Sequence, residues 1–268
     1  MPQLANDLWS LVLDRHEVDP DQLVEAIEDQ VRRGDLDFRS RLLIRDSLNA
    51  LQQHWDPQRL AAWLKSCPKS DEIHGIWKED FGEVGFPSLT RRIVETTRPE
   101  TIQQMFREIG QKIHPRKPIR VYVGGSCALI LGGLLSRRTE DIDIVDELPA
   151  ELRQEHRLLD ELNKRYDLHF GHFQSHYLPA GWQGRAHYLD DYGDLQVYLV
   201  DAYDVALSKL FSIRTKDLDD LRALMPRLDK QELTERFKRT TTAMLASEDL
   251  GKRAQHNWHI LFGEQLPQ

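Results

Sequence analysis

Two aspartates, Asp141 and Asp143, lie one residue apart in a short apolar run that has the composition of a β-strand. Side chains alternate between the two faces of a strand, so both carboxylates are expected on one face and Ile142 and Ile144 on the other. Two adjacent carboxylates repel each other unless they share a proton or bind a cation. Because a Mg²⁺ that bridges to substrate phosphates is a common solution in proteins, the pair predicts a magnesium site.

A glycine turn, Gly124-Gly125-Ser126, precedes these aspartates and follows another apolar run, residues 119 to 123. Glycines let the backbone approach a phosphate closely, and the helix expected after them offers free N–H groups. The Ser126 hydroxyl is expected to contact a terminal phosphate. Each feature alone is weak, since most Gly-Gly turns are tight connections and most Asp-x-Asp pairs lie on solvated edge strands. The turn matches neither a Walker loop nor a dinucleotide fingerprint, so turn and aspartates together predict a metal-dependent phosphate site.

The elements that must position these residues follow from apolar periodicity and turn residues. Strands are predicted at 119–123, 141–145, 167–174, 185–190 and 194–200, and helices at 126–135, 150–165 and 203–213. This order indicates an α/β or α+β catalytic core. Three later helical segments, at 216–225, 230–247 and 249–262, indicate a helical C-terminal cap.

The first part of the chain is predicted to be all-α. Asp19-Pro20 and Asp56-Pro57 indicate helix starts, and Gly34 indicates a helix end. Residues 66 to 88 are rich in Gly, Pro and Ser and show little sustained period, so they are interpreted as a linker. The predicted domains are a helical N-terminal domain (1–85), a catalytic core (86–225) and a C-terminal cap (226–268).

Composition limits the class of protein further. The chain has 268 residues and a formal net charge of −8, which argues against a general nucleic-acid coat protein. No apolar run approaches the roughly 18 residues that cross a bilayer, and the N-terminus does not resemble a secretory signal. A cytoplasmic protein without a membrane partner is therefore expected. Cys67 and Cys127 match no paired ligand spacing and are interpreted as packing residues.

These motifs resemble the nucleotidyltransferase superfamily related to DNA polymerase beta. Its hallmark is a strand, a Gly-Gly or Gly-Ser turn, a helix and an Asp-x-Asp strand, matched here by VGGS at 123–126 and DIDI at 141–144. The resemblance covers roughly residues 100 to 225 and implies an α+β fold, a mixed sheet flanked by helices. Within the superfamily, GGSCALILGGLLSRRTEDIDIV and DAYDVALSKLFSIRTKDLDDLRAL resemble AbiEii-type toxins and related uncharacterised bacterial nucleotidyltransferases.

The resemblance implies roles for individual residues. Asp141 and Asp143 would bind catalytic Mg²⁺, Lys209 would neutralise phosphates, and Asp217 or Asp220 would be a downstream functional acid. The implied nucleotide-binding residues are Gly124, Gly125, Ser126, Arg138, Thr139 and Lys209.

The resemblance leaves one metal ligand open. Many relatives have a third metal-binding carboxylate on a neighbouring strand, and Asp194 is the best candidate here, with Asp190 behind it. Either of these aspartates could equally be a turn residue.

Other polar and aromatic residues leave alternatives open. His169, His172 and His176 have a spacing that suggests zinc, but hydrogen-bonded or exposed histidines are favoured because no fourth ligand is near. Trp182 is interpreted as a core residue rather than a base-stacking one. The residues Arg137, Arg138, Arg185, Arg214 and Lys216 form either a basic rim for a polyanionic acceptor or a solvated surface.

The resemblance implies a Mg²⁺-dependent enzyme that moves a nucleoside monophosphate from a nucleoside triphosphate to RNA, tRNA included, or to protein. It further implies the toxin of a toxin–antitoxin or phage-defence pair, with a cognate antitoxin as partner. The alternative is a catalytically inactive nucleotide-binding module whose helical N-terminus binds a regulatory partner. A third hypothesis is an enzyme that modifies an antibiotic.

Overall fold

The computed structural model describes residues 7–15, 17–34, 36–86 and 88–267. The chain divides into two compact units, Met1–Thr96 and Thr97–Gln268, and each has its own hydrophobic core. The predicted border between the first two domains is near residue 85. Leu89 and Ile93 lie beyond that point but are buried in the core of the N-terminal unit, which is why this unit extends to Thr96.

The N-terminal unit is helical, as predicted. Its α-helices within the described residues are α1 (Leu8–Asp14), α2 (Pro20–Arg33), α3 (Phe38–His54), α4 (Pro57–Ser66) and α5 (Ser70–Trp77), followed by a 3₁₀ turn at Leu89–Arg92.

Side-chain caps explain where these helices begin. The Asp19 and Asp56 carboxylates accept hydrogen bonds from backbone N–H groups of the first turns of α2 and α4, and proline occupies the first helical position of both. Both predicted starts are confirmed, as is the end of α2 at Gly34. The linker interpretation is wrong for residues 70–77, because Ile73 and Ile76 bury one face of α5 in the N-terminal core.

The second unit is built on one five-stranded sheet. Its strands are β1 (Ile119–Val123), β2 (Asp141–Val145), β3 (His169–Phe173), β4 (His187–Tyr192) and β5 (Leu195–Leu199). The spatial order is β3-β2-β1-β5-β4, with β1 parallel to β5, β2 parallel to β3, and the other two pairs antiparallel. The predicted α+β fold with a mixed sheet flanked by helices is confirmed.

Helices surround this sheet. They are α6 (Pro99–Lys112), α7 (Gly125–Leu131), α8 (Ala150–Gln154), α9 (His156–Tyr166), α10 (Ala202–Leu210), α11 (Thr215–Leu224), α12 (Lys230–Thr240), α13 (Thr242–Leu245) and α14 (Glu248–Phe262).

Four predicted helices differ clearly in length or continuity from the observed ones, and one of them, predicted at 203–213, ends at Leu210. The helix predicted at 126–135 ends at Leu131 because Gly132 and Gly133 follow it, Gly133 with a φ of 69°. The segments predicted as single helices at 150–165 and 230–247 are each divided into two.

The core of the second unit joins the sheet to the C-terminal helices. Val123, Ile142 and Ile144 are buried on one face of the sheet, and Phe237 and Trp258 of the C-terminal helices belong to the same apolar cluster. The segment predicted as a cap therefore packs as part of this unit. Cys67 and Cys127 are buried and free, which confirms their interpretation as packing residues. Among the described residues, no helix has the length and apolar character needed to cross a membrane.

Candidate active site

The predicted glycine turn lies directly against Asp143. The Gly124 N–H donates a hydrogen bond to the Asp143 backbone carbonyl at 2.8 Å, which joins the end of β1 to β2. Gly125 has a φ of 59°, and a Cβ built there would lie 2.1 Å from Oδ2 of Asp143. Both the backbone conformation and the contact require glycine at this position.

A second glycine lies on the other side of the same carboxylate. In the parallel pair of β2 and β3, Asp143 is in register with Gly171. A Cβ at Gly171 would lie 3.1 Å from Oδ1 of Asp143. The Asp143 carboxylate is thus held between Gly125 and Gly171, an arrangement that we call the glycine slot.

Asp141 and Asp143 are on one face of β2, as predicted, and Ile142 and Ile144 are buried on the other. Asp141 is exposed and Asp143 is half-buried. Burial, followed by the negative charge of Asp141, raises the pKa of Asp143 above its ordinary value, against the opposing effect of Lys209 and neighbouring cations. A bound cation would relieve this repulsion.

Lys209, at the end of α10, lies in a buried polar cluster next to the turn. Its Nζ is 2.5 Å from Oδ1 of Asp217, 2.7 Å from Oδ2 of Asp220 and 3.2 Å from the Ser126 hydroxyl oxygen. Ser126 in turn donates a hydrogen bond to Oδ2 of Asp220 at 2.7 Å. The residues Lys209, Asp217, Asp220, Ser126, Arg137 and Arg214 form what we call the Lys209 network.

Two arginines complete the network. Arg137 Nη1 is 2.9 Å from Oδ1 of Asp220, and Arg214 Nε is 2.7 Å from Oδ2 of Asp217. Burial by itself would raise the pKa of Asp217, but the charge and hydrogen bond of Lys209, the hydroxyl of Ser212 and the charge of Arg214 together lower it. Asp217 and Asp220 are 1% and 3% exposed, and both hold cations beside the turn.

A cleft of about 550 Å³ opens beside Asp143. Gly125, Asp143, Lys209 and Arg214 are among its lining residues, which also include a set of apolar and aromatic side chains. The apolar and aromatic residues are Phe173, Tyr177, Leu178, Val205, Phe211 and Ile213. A cleft with cations as well as aromatic residues in its lining suits a ligand that has both an anionic and an aromatic part.

Three residues predicted for the site lie elsewhere. Arg138 pairs with Glu140 at 3.0 Å and Asp167 at 2.7 Å, and Thr139 bonds to backbone and side-chain groups around residues 97 and 141, so neither lines the cleft. Asp194 precedes β5, and its carbonyl accepts a hydrogen bond from the Ile119 N–H at 2.7 Å. That is the opposite end of β1 from the glycine turn, roughly 13 Å away along the strand.

The remaining candidates are also placed. Trp182 is buried and packs edge-on against Tyr122 with ring centroids 5.3 Å apart, which confirms it as a core residue. His172 lines the cleft, and His176 contacts the Tyr177 ring. Asp190 lies exposed on β4. Within the described ranges no group of three or more His, Cys, Asp or Glu side chains is arranged to hold a metal, so the histidines form no such site there.

Gly171 and Arg253 line the site but were not predicted. Gly171 lies in the His169–Phe173 stretch, where only the strand register shows that it faces Asp143. Arg253 is on α14, more than a hundred residues after the Asp pair, and lines the cleft. No spacing in the sequence connects either residue to the glycine turn.

The fold and the site together define a class of protein. A mixed sheet that places paired aspartates beside a glycine turn, at a cleft lined by cations, is the arrangement of a nucleotidyltransferase. A family model matches residues 100–261, and the chain belongs to that family, described as nucleotidyltransferase of unknown function (DUF6036). The protein is therefore an enzyme of the nucleotidyltransferase class. The chain matches no curated protein and no solved structure.

Proposed function

We propose that this nucleotidyltransferase depends on Mg²⁺ and transfers a nucleoside monophosphate from a nucleoside triphosphate to an RNA acceptor. The observation that supports this most directly is the glycine slot, which holds one carboxylate of the Asp pair at the wall of a cleft lined by cations. A closer relation to AbiEii-type toxins, and a role as a toxin, are parts of the same proposal.

The residues present fit a magnesium ion. Mg²⁺ keeps several water ligands and is commonly bound by one or two carboxylates together with substrate phosphates. Asp141 and Asp143 supply such a pair on one face of β2. Burial and the charge of Asp141 raise the pKa of Asp143, and a cation beside the pair would stabilise its ionised form. When bound, Mg²⁺ would lower the charge barrier at the attacking and leaving oxygens.

The chain's own residues would orient the reaction. An acceptor oxygen attacks the α-phosphorus in line, a new P–O bond forms, and the bond to pyrophosphate breaks. Lys209 lies against the Ser126 side chain of the glycine turn, where its charge would stabilise the negative charge that develops on pyrophosphate. Asp217 and Asp220 would hold the Lys209 side chain in place.

Charges near the mouth of the cleft favour a polyanionic acceptor. Arg214 lines the cleft with an exposed side chain, and the exposed Lys216 acts electrostatically on Asp143. Cations at this position suit an RNA backbone, with tRNA as one case. The resemblance also implied a protein acceptor, and the assay below would detect transfer of label to protein.

The alternative, an inactive nucleotide-binding module, predicts no chemistry at all. The complete Asp pair beside an open cleft disfavours it.

The test is transfer of label from each of four α-³²P-labelled nucleoside triphosphates with Mg²⁺, to total RNA or to cell protein. We expect labelled RNA and release of pyrophosphate, with loss of at least about 1000-fold for Asp143→Asn, an effect of roughly 4 kcal/mol on the barrier. The matched control is Asp191→Asn, an exposed aspartate on β4. Absence of transfer from every triphosphate by the wild-type chain would refute the proposal, and label on a small molecule would favour antibiotic modification.

The toxin role has a separate test. Induced expression of the wild-type chain in bacteria should stop growth, and expression of Asp143→Asn to the same level should not. Equal growth of both strains would remove the toxin role and leave the transfer reaction untouched.

A further inference from the structure

Arg253 differs from the other basic residues of the cleft wall. It is half-buried on α14 and lines the cleft together with Lys209 and Arg214. Lys209 and Arg214 each contact a buried carboxylate, whereas the Arg253 guanidinium has no hydrogen bond or ion pair within the part of the chain that the structure describes. Its charge is therefore available to a ligand.

The helix that carries Arg253 is fixed to the wall of the cleft. Nδ2 of the buried Asn257 donates hydrogen bonds to the backbone carbonyls of Leu210 and Ser212, both at 2.9 Å. Arg253 precedes Asn257 by four residues, so the two side chains share one face of α14. Trp258 is fully buried next to this contact. These contacts therefore fix the position of Arg253 beside the loop that follows α10.

The charges around the site show what this cation would do. The Lys209 network contains three cations, Lys209, Arg137 and Arg214, and two carboxylates, Asp217 and Asp220. The nearby Asp pair adds two more carboxylates. A nucleoside triphosphate brings several further negative charges into this region. An arginine without a carboxylate partner is suited to bind them, because its planar guanidinium can donate two parallel hydrogen bonds to one phosphate.

We infer that Arg253 binds the triphosphate of the nucleotide substrate, so that the C-terminal helix forms part of the active site. This inference rests on the proposed function, since it assigns a residue to the substrate of that reaction. It concerns binding of the phosphate chain, and Arg253 takes no part in bond formation or cleavage.

The experiment compares Arg253→Ala and Arg253→Lys with the wild-type chain. The Kd of each nucleoside triphosphate is measured by calorimetry with Mg²⁺, and KM and kcat are measured in the transfer assay. We expect Arg253→Ala to raise Kd and KM by about 10- to 100-fold, the effect of one lost charge-assisted interaction, and kcat to fall by less than KM rises. Arg253→Lys should give an intermediate Kd because it keeps the charge but loses the paired donors.

Inorganic tripolyphosphate, used as a competitor, separates phosphate contacts from base contacts. If Arg253 binds phosphates, Arg253→Ala should weaken inhibition by tripolyphosphate by the same factor as nucleotide binding. Inhibition that is unchanged would overturn the assignment. The matched control is Lys252→Ala, the preceding residue, whose exposed side chain pairs only with Glu248 among the interactions described. It should leave Kd and KM within about twofold.

Two further measurements distinguish a binding role of Arg253 from a structural role and from failure of the proposed function. The Tm of Arg253→Ala should stay close to that of the wild type, and a large decrease in Tm with no intermediate effect of Arg253→Lys would indicate a structural role and overturn the inference. A wild-type chain that neither binds nor uses any triphosphate would refute the proposed function itself. Tight binding that is equal in wild type and Arg253→Ala would refute only the role of Arg253.

Discussion

Buried aspartates lie among cations at both ends of helix α10, but their pKa values are shifted in opposite directions. At its start, Asp204 is fully buried and accepts hydrogen bonds from Arg185 at 2.9 and 3.1 Å. At its end, Lys209 pairs with the buried Asp217 and Asp220. Burial dominates at the first end and raises the pKa of Asp204, whereas at the second end Lys209 and its neighbours outweigh burial and lower the pKa of Asp217.

The difference shows how the same kind of interaction serves two purposes. The Asp204 cluster also includes Arg236 of α12, 3.6 Å from Asp204, and so connects α10 to α12 and to the turn at Trp182–Arg185. None of these three charged residues lines the cleft. In the Lys209 network, Lys209, Arg214 and Asp217 line the cleft, and Lys209 also contacts Ser126 of the glycine turn. One end of α10 therefore stabilises the fold, and the other also forms the site.

The largest effect is expected from Lys209→Met. Removal of the ammonium leaves Asp217 and Asp220 buried without their shared partner, which should cost about 3–5 kcal/mol in the free energy of unfolding. Activity per folded molecule should also fall. Urea denaturation measures the first quantity and the transfer assay the second.

The control for Lys209→Met is Lys216→Met, an exposed lysine on α11, which should change stability by less than about 0.5 kcal/mol. A Lys209→Met protein within about 1 kcal/mol of the wild type would show that the network does not support the fold.

Arg185→Met tests the other end of α10. Asp204 would lose the hydrogen bonds of Arg185 but keep Arg236 nearby, so the expected loss of stability is smaller, about 1–3 kcal/mol. Activity per folded molecule should stay within about twofold, because Arg185 does not line the cleft. Arg138→Met, which removes two exposed ion pairs, is the control. If Arg185→Met lost much more activity than folded protein, the Asp204 end of α10 would also contribute to the site, contrary to this prediction.

Acidification should act on the two ends in opposite directions. Because the pKa of Asp217 is lower in the folded protein than the ordinary value of 3.8, the unfolded chain binds more protons as the pH falls towards and below that value, and stability is lost. Because the pKa of Asp204 is raised, its ionisation costs stability at higher pH, and protonation removes that cost. In unfolding free energies measured from about pH 6 to pH 3, Asp217→Asn should flatten the loss with acid and Asp204→Asn should steepen it. The same slope for both variants would contradict this difference.

The smallest effect is expected from Asp194→Asn. Its place at the far end of β1 predicts a kcat/KM within about twofold of the wild type and a stability change below about 0.5 kcal/mol. A loss of more than about tenfold, equivalent to roughly 1.4 kcal/mol, would restore Asp194 as a third carboxylate of the site.

Features that depend on residues close together in the sequence, such as helix starts and strand faces, could be predicted from the sequence. Asp19-Pro20 and Asp56-Pro57 determine helix starts through contacts within a few residues, and the alternation along β2 determines the shared face of Asp141 and Asp143. The glycine turn and the Asp strand could therefore be joined into one site from the sequence.

Features that depend on strand order and on distant contacts could not be predicted. Asp194 was a candidate because it begins a strand, but the parallel pairing of β1 with β5 places it next to Ile119 rather than next to the turn. The resemblance implied that Asp217 or Asp220 is a functional acid, but the sequence could not show that both carboxylates contact Lys209. Gly171 could be recognised only once β3 was known to pair with β2.

The glycine slot makes Asp143 sensitive to changes that leave every charge in place. One added methyl group at Gly125 would meet Oδ2 at 2.1 Å on a backbone with positive φ, whereas one at Gly171 would meet Oδ1 at 3.1 Å. Alanine at Gly125 would therefore clash severely with the Asp143 carboxylate. Alanine at Gly171 would displace that carboxylate by only a few tenths of an ångström. Together the two positions offer a graded control of the position of the Asp143 carboxylate, from a severe clash to a slight shift, in a chain whose charged residues are those of the wild type.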